Sequence, residues 1–379
     1  MKRVFALCLA ICLVVMCGCA PQETPDTTPS TQQTQPSQSQ APETKPTESQ
    51  APSTGTTEPA DPVLYQNPLT GEPMAEQVTA RPYAVVLNNT QADLPHYGIG
   101  NADIVYETLI EGESRCLGIF YNLNAQTAAT LGTVRSARYY FIQIAQSYDA
   151  IYVHNGGSND PEIGGYDYFK KTGWPHMDTI TSPGGQTHFY NPDGGSDLTG
   201  RVVIRPESVL ALAKKLNLKM DREEPLDMGW QFDDDKLIIG DAANNVKVWF
   251  NMSGTPNAKW HKSTSFAYNP ADKLYYASQY GSELVEGNTG DQVSFRNVLV
   301  LRTRIENKKG SQLLYVDTVG SGTGYFICNG QAVEINWSRA SVTDPFVYTL
   351  AANGQPVTFG VGRTYVAFVP QKAQVEIGE

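Results

Sequence analysis

Charge is scarce in this sequence: only 18% of its 379 residues are Asp, Glu, Lys or Arg. A coiled coil needs many more charged, Ala and Leu residues and is excluded. A second long apolar run is also missing, which excludes a polytopic membrane protein. Basic residues are outnumbered 28 to 39, giving a net charge of -11. No basic face for a nucleic acid follows from such a balance, so no nucleic-acid partner is expected. The chain also has no H-E-x-x-H, no H-x-H, no close Cys/His cluster and no G-x-S-x-G elbow between a strand and a helix. Neither a metal nor another cofactor is therefore expected. In place of charge the chain carries Gly 33, Pro 24 and Tyr 20.

The amino terminus accounts for part of this. Lys2 and Arg3 precede an unbroken apolar run of 13 residues, Val4 to Met16. That is shorter than the ~20 residues needed to span a bilayer, but it suits the core of a signal peptide, here 1–18. The run ends in Met16-Cys17-Gly18-Cys19-Ala20, which resembles the lipobox of bacterial lipoproteins. The resemblance implies cleavage before Cys19 and lipidation of its thiol, with palmitate-type acyl chains. Met16 departs from the Leu usual at that position. Acyl chains together anchor far more firmly than one alone, so a lipid anchor in the outer membrane leaflet is expected.

Residues 19–61 form a tether. Of the 42 residues from 20 to 61, 30 are Thr, Pro, Gln or Ser, eight of them Pro, and none is Leu, Ile, Val, Phe, Met, Trp or Tyr. Such a segment buries too little apolar surface to offset backbone entropy, so disorder is expected. A flexible coil of this length has a root-mean-square span of about 35–40 Å, and Pro lengthens it.

The remainder reads as α+β, in two parts. In 62–224, Tyr83 to Asn89 is a buried-strand pattern, and Ile104–Ile110 and Cys116–Tyr121 flank a turn at Glu111-Gly112-Glu113-Ser114. Arg135 to Ser147 has helical spacing, with Val134, Ala137, Phe141, Ile144 and Ala145 on one face. A short strand, Ala150 to Val153, stops at His154-Asn155-Gly156-Gly157, and Pro206 opens a further helix. This order predicts an N-terminal α/β layered domain. In 225–379 helical periodicity disappears and nine short apolar segments alternate with turn residues, which predicts a mostly antiparallel β domain. Gly320-Ser321-Gly322-Thr323-Gly324 lacks a following Lys and helix, so it is predicted to be a tight turn rather than a phosphate loop.

Four runs carry a family resemblance: Arg81-Pro82-Tyr83-Ala84-Val85, Ala102-Asp103-Ile104-Val105-Tyr106-Glu107, Gly132-Thr133-Val134-Arg135-Ser136-Ala137-Arg138 and Tyr148-Asp149-Ala150-Ile151-Tyr152-Val153-His154. In this order they resemble the YerB-like lipoproteins, whose core is called domain of unknown function 3048. Later runs, including Ile335-Asn336-Trp337-Ser338-Arg339 and Gly362-Arg363-Thr364-Tyr365-Val366, resemble that family's C-terminal domain. The likeness covers nearly everything from about 66 to 372. It implies a lipoprotein on the extracytoplasmic face of a Gram-positive membrane, and it implies no reaction.

Candidate ligand-binding residues follow from side-chain chemistry. Arg135 and Arg138, three apart, would share one side of a helical turn and could grip a carboxylate or phosphate. Glu107 is a further ligand-binding candidate, while Glu107, Glu111 and Glu113 are alternatively partners for the arginines in an internal ion-pair network. His154 ends an apolar strand, where open α/β sheets place ligands, with Asn155 and Asp160 in the same loop. His188 lies in a second Gly-rich loop. Cys116 and Cys328 read as buried free thiols, with a bond between them as the alternative. Tyr275, Tyr276, Tyr280 and Trp260 could present rings to a glycan or peptide, or pack internally. The expected role is a non-enzymatic binding or regulatory protein at the cell envelope, its partner a cell-wall fragment or envelope protein. The competing expectation is a cell-wall hydrolase or transferase using the polar loops around His154 and His188.

Overall fold

A computed structural model describes residues 65–237, 239–252 and 262–379. The expected signal peptide, the tether, the lipidation at Cys19 and Trp260 all lie outside the described residues. Among the described residues no helix is long and apolar enough to cross a membrane.

Apolar, β-branched runs bounded by polar or Gly residues become strands. Residues 83–88 form β1 (Tyr83–Asn88), buried throughout. The expected hairpin is present as β2 (Ile104–Leu109) and β3 (Ser114–Phe120), paired antiparallel. Next come α1 (Tyr139–Ser147), β4 (Ile151–His154), α2 (Gly165–Thr172), β5 (His176–Asp178) and α3 (Pro206–Lys215). Among the described residues all later elements are strands, and those of four residues or more are β6 (Asn245–Phe250), β7 (Lys262–Asn269), β8 (Leu274–Gln279), β9 (Asn297–Thr303), β10 (Gly320–Cys328), β11 (Gln331–Arg339), β12 (Val347–Leu350), β13 (Thr364–Pro370) and β14 (Val375–Gly378). The described residues are thus mostly sheet with three α-helices, all before residue 216.

One mixed sheet of eleven strands runs in the order β5–β4–β1–β3–β2–β13–β9–β10–β11, with β12 and the short strand Asp241–Ala242 both on β11. β4 and β5 run parallel to β1, so their carboxyl ends open on one side. The two sequence parts meet in this sheet, because β13 pairs parallel with β2 from Thr364↔Ile104 to Phe368↔Thr108. A second sheet contains β8, β7, β6 and β14 in that order. Phe266 and Phe295 meet Tyr365 of the large sheet with ring centroids 4.8 and 5.2 Å apart. Burying these rings together joins the two sheets through apolar contact.

Helix α1 is buried on nearly all sides: Tyr139 to Ile142 and Ile144 to Ser147 are all inside. A helix that apolar belongs in a core rather than on a surface. Arg339, 1% exposed, reaches it from β11. Its guanidinium donates to the carbonyls of Gln143 (2.5 Å), Thr318 (3.2 Å), Asp344 (3.0 Å) and Val342. Neutral carbonyls thus satisfy this buried cation.

Two expectations are corrected. Helix α1 starts at Tyr139, not Arg135; Arg138 is extended, with φ -128° and ψ 143°. The preceding backbone pairs with neighbouring strands instead: Val134 N–H donates to Val202 O at 2.6 Å, Arg135 to Val86 O at 3.1 Å and Ala137 to Gly156 O at 2.9 Å. Once those donors are engaged across strands, the run cannot be helical. The Gly320–Gly324 run is also no turn but the start of β10. A Cβ on Gly324 would lie 2.0 Å from Val300 O, so glycine permits strand contact there rather than a bend.

Candidate functional site

At the carboxyl ends of β4 and β5 the chain leaves a cleft of about 750 Å3. That falls within the roughly 300–1,000 Å3 usual for small-molecule sites. Asn155, Gly156 and Gly157 continue β4 into it, and Thr179 and Ile180 continue β5. Arg135 and Ser136 enter from the extended run before α1, Tyr166 from α2, Gln186 from the Gly-rich loop, and Phe189, Tyr190 and residues 195–199 complete the lining. The position is the one expected for a ligand in a sheet with parallel strands.

Gly156 is the pivot. Its φ of 79° is left-handed, a conformation glycine adopts without strain. Its N–H donates to Asp178 Oδ1 at 2.7 Å. Its carbonyl accepts from Ala137 N at 2.9 Å and from His154 Nδ1 at 2.7 Å. A carbonyl can only accept, so Nδ1 of neutral His154 carries the proton and Nε2 must accept. The donor is Nδ1 of His176, 2.9 Å away. Asp178 Oδ1 stands 3.6 Å from His154 Nδ1, beyond hydrogen-bond reach. The carboxylate instead takes Tyr166 Oη at 3.0 Å and Thr181 Oγ1 at 2.7 Å on its other oxygen. Burial lowers the His154 pKa and lowers that of His176 to about 4, so both rings are neutral at pH 7. Burial works against ionisation of Asp178, but its hydrogen-bond donors, Gly156 N and Thr181 among them, outweigh that and leave its pKa below the usual range.

The structure brings two of the sequence candidates to the cleft, Arg135 and Asn155. Arg135 Nη1 donates to Thr199 O at 2.9 Å, and Nη2 lies 3.6 Å from Asp93 Oδ1. Asn155 Nδ2 donates to Leu198 O at 3.0 Å. Both residues therefore hold the wall formed by 196–199. The other candidates lie elsewhere. His154 is fully buried outside the lining, with its ring nitrogens taken by Gly156 O and His176 Nδ1. Arg138 grips Glu111 with Nε and Nη2 at 2.9 and 2.6 Å. Asp160 pairs with Lys308 Nζ at 2.6 Å, which holds its carboxyl below the usual range. His188 Nδ1 bonds Gly184 O at 2.7 Å, closing its own turn.

Glu107 is the centre of a separate buried network. It accepts from Asn89 Nδ2 at 2.8 Å, Thr264 Oγ1 at 2.7 Å and Gln279 Nε2 at 3.4 Å, and also from Ser114 and Tyr365 hydroxyls. Lys262 Nζ is 3.9 Å from its Oε1. Its charged partner is thus Lys262, not either arginine, and the network ties β2, β3, β7, β8 and β13 together. Cys116 and Cys328 are both buried free thiols. Tyr275 is fully buried and packs on Tyr268, its ring centroid 5.0 Å away.

Sequence reading missed His176, Asp178, Tyr166 and Thr179. One signal was available. His176 and Asp178 are two apart, so on a strand they share a face, and β5 pairs Asp178 directly with His154. Nothing marked Tyr166, because α2 buries only Gly165 and Phe169 and has no apolar stripe to find.

Comparison with known proteins follows this architecture. The model described as "Protein of unknown function (DUF3048) N-terminal domain" matches residues 69–217, and the corresponding C-terminal domain matches residues 256–366. The chain therefore belongs to this family of mostly-sheet proteins, as the sequence runs implied. "Putative lipoprotein YerB" of Bacillus subtilis (strain 168) is 28% identical over 322 residues, which is 82% of this chain and 89% of that protein. The crystal structure of the Bacillus subtilis YerB protein covers 82% of this chain and 99% of its own, with a TM-score of 0.68 and 25% identity. Relationship to a protein so named supports a lipoprotein.

Proposed function

We propose that this protein is a lipid-anchored, extracytoplasmic binding or regulatory protein of the Gram-positive cell envelope. Cys19 carries the lipid, the 19–61 segment spaces the folded part from the membrane, and the cleft takes a cell-wall fragment or a segment of an envelope protein. The observation that carries the binding reading is the cleft itself, roomy and open at the carboxyl ends of β4 and β5. Of the neighbouring histidines, His154 has both ring nitrogens engaged inside the protein, and His176 and His188 each have Nδ1 engaged, which favours holding a ligand over transforming one.

The anchor is tested by palmitate labelling in cells, expected to be lost in Cys19→Ala. Binding is tested with the full chain, purified from membranes in detergent and titrated with a muramidase digest of peptidoglycan. A saturable thermal shift with unchanged muropeptide masses is expected. New products in the mass spectrum would turn the reading to the hydrolase or transferase.

A further inference from the structure

The lining of the cleft narrows the ligand class. Of its sixteen residues only Arg135 and Asp197 are charged, and they cancel. Each is also answered within the protein: Arg135 by Thr199 O and Asp93, and Asp197 Oδ1 by Thr199 N at 2.8 Å and Thr199 Oγ1 at 2.6 Å. A phosphate-rich ligand would need a cation free to meet it, and the lining supplies none.

Neutral hydrogen-bonding groups remain. Thr179 is 2% exposed, and its Oγ1 has no partner among the described residues. A buried hydroxyl in that state is costly unless something fills the role. Gln186, exposed at the rim, makes no side-chain hydrogen bond among the described residues, and neither does Ser196 on the facing loop. Rings and an aliphatic side chain accompany them: Tyr166, Phe189 and Tyr190 line the same space, and Ile180 is 62% exposed. Tyr166 and Tyr190 hydroxyls are engaged by Asp178 and Thr130, so their contribution to a ligand is ring surface. Uncommitted amide and hydroxyl groups beside aromatic surface suit a molecule with hydroxyls around its edge and weakly polar C–H faces.

Resting on the binding reading above, we infer that the cleft takes a neutral glycan, a short oligosaccharide segment of the wall polymer, rather than its peptide or an anionic phosphate polymer. Thr179, Gln186 and Ser196 supply hydrogen bonds to the sugar hydroxyls, and Tyr166 and Ile180 supply apolar contact.

The test is calorimetric titration of the full chain in detergent with three probes: a soluble β-1,4-linked N-acetylglucosamine oligomer, a free stem peptide, and inorganic phosphate. The oligomer is expected to bind and to compete with muropeptides. Gln186→Ala, Ser196→Ala and Thr179→Val are each expected to weaken it by about fivefold, the worth of one hydrogen bond, with an unchanged unfolding temperature for the first two. Muropeptide binding that is displaced by the stem peptide or by phosphate, but not by the oligomer, overturns the glycan inference and leaves the binding function standing. Oligomer binding that is indifferent to all three substitutions overturns the site. No binding of any probe or of muropeptides overturns both.

Discussion

His176 donates its Nδ1 proton to Nε2 of His154 across 2.9 Å, beneath the floor of the cleft. This donor direction holds only while His154 stays neutral, because a second proton on that ring would make Nε2 a donor and require His176 to carry its own proton on Nε2 instead. Burial enforces the neutral state of both rings.

This makes folding stability acid-sensitive. Burial lowers His96 to about 3 and His176 to about 4, and lowers His154 as well, against roughly 6.5 in an unfolded chain. Above pH 6.5 neither state binds these protons. As pH falls from 6.5 towards 4 the unfolded chain takes up the His96 and His176 protons and the folded one does not, so stability is lost at up to about 1.4 kcal/mol for each of these two per pH unit, with His154 acting in the same direction. Asp103 opposes this: burial pushes it up to about 6, so below that pH the folded state binds a proton first and offsets one histidine. The urea midpoint is expected to fall between pH 7 and pH 5, and less steeply in His96→Gln. A flat midpoint over that range would contradict the neutral-histidine assignment.

Glu107→Ala should be the costliest single change among the sequence candidates. It removes the acceptor of five side-chain donors and leaves Lys262, 5% exposed, without its carboxylate. Breaking a buried pair from one side costs about 3–5 kcal/mol. Calorimetry should show a lower unfolding temperature and a smaller transition, with Glu107→Gln intermediate.

The two arginines of the 135–138 run should separate cleanly. Arg138→Ala loses the two-pronged pair with Glu111, both side chains under 20% exposed, at about 1.5–3 kcal/mol, with little change in ligand affinity. Arg135→Ala loses one carbonyl contact to the 196–199 wall. It should cost under about 1 kcal/mol and yet weaken muropeptide binding. Denaturant titration and calorimetric titration on the same pair of variants decide it.

Thiol chemistry reports on the core. Burial raises both Cys116 and Cys328, the latter to about 11, and the thiolate is the reactive form. Peptide mapping after maleimide treatment should find both unmodified in the native chain and both modified in 6 M guanidinium.

How much was legible depended on what each segment uses for pairing. The nine later strand segments and the 104–120 hairpin were readable because apolar, β-branched runs ended at polar turns. The start of α1 was not, because the three-residue spacing of Val134 and Ala137 fits a helix, and only backbone contacts with Val202 and Gly156 override it. The Gly320–Gly324 run looked like a turn because close strand approach and reversal both select glycine. The cleft position could be inferred from His154 ending a strand. Its lining could not, since Tyr166, Thr179 and Gln186 come from three separate segments joined only by folding.

The pairing of β13 with β2 carries a consequence for biosynthesis. β2 has β3 on one side, while its other side is completed by residues 364–368. A chain leaving the ribosome from its amino terminus therefore exposes that hydrogen-bonding edge for more than 250 residues of elongation. Such an edge invites pairing with other chains, and the late arrival of β13 makes contact order high and folding slow. The nascent protein should depend on a holding chaperone until residues 364–368 are made.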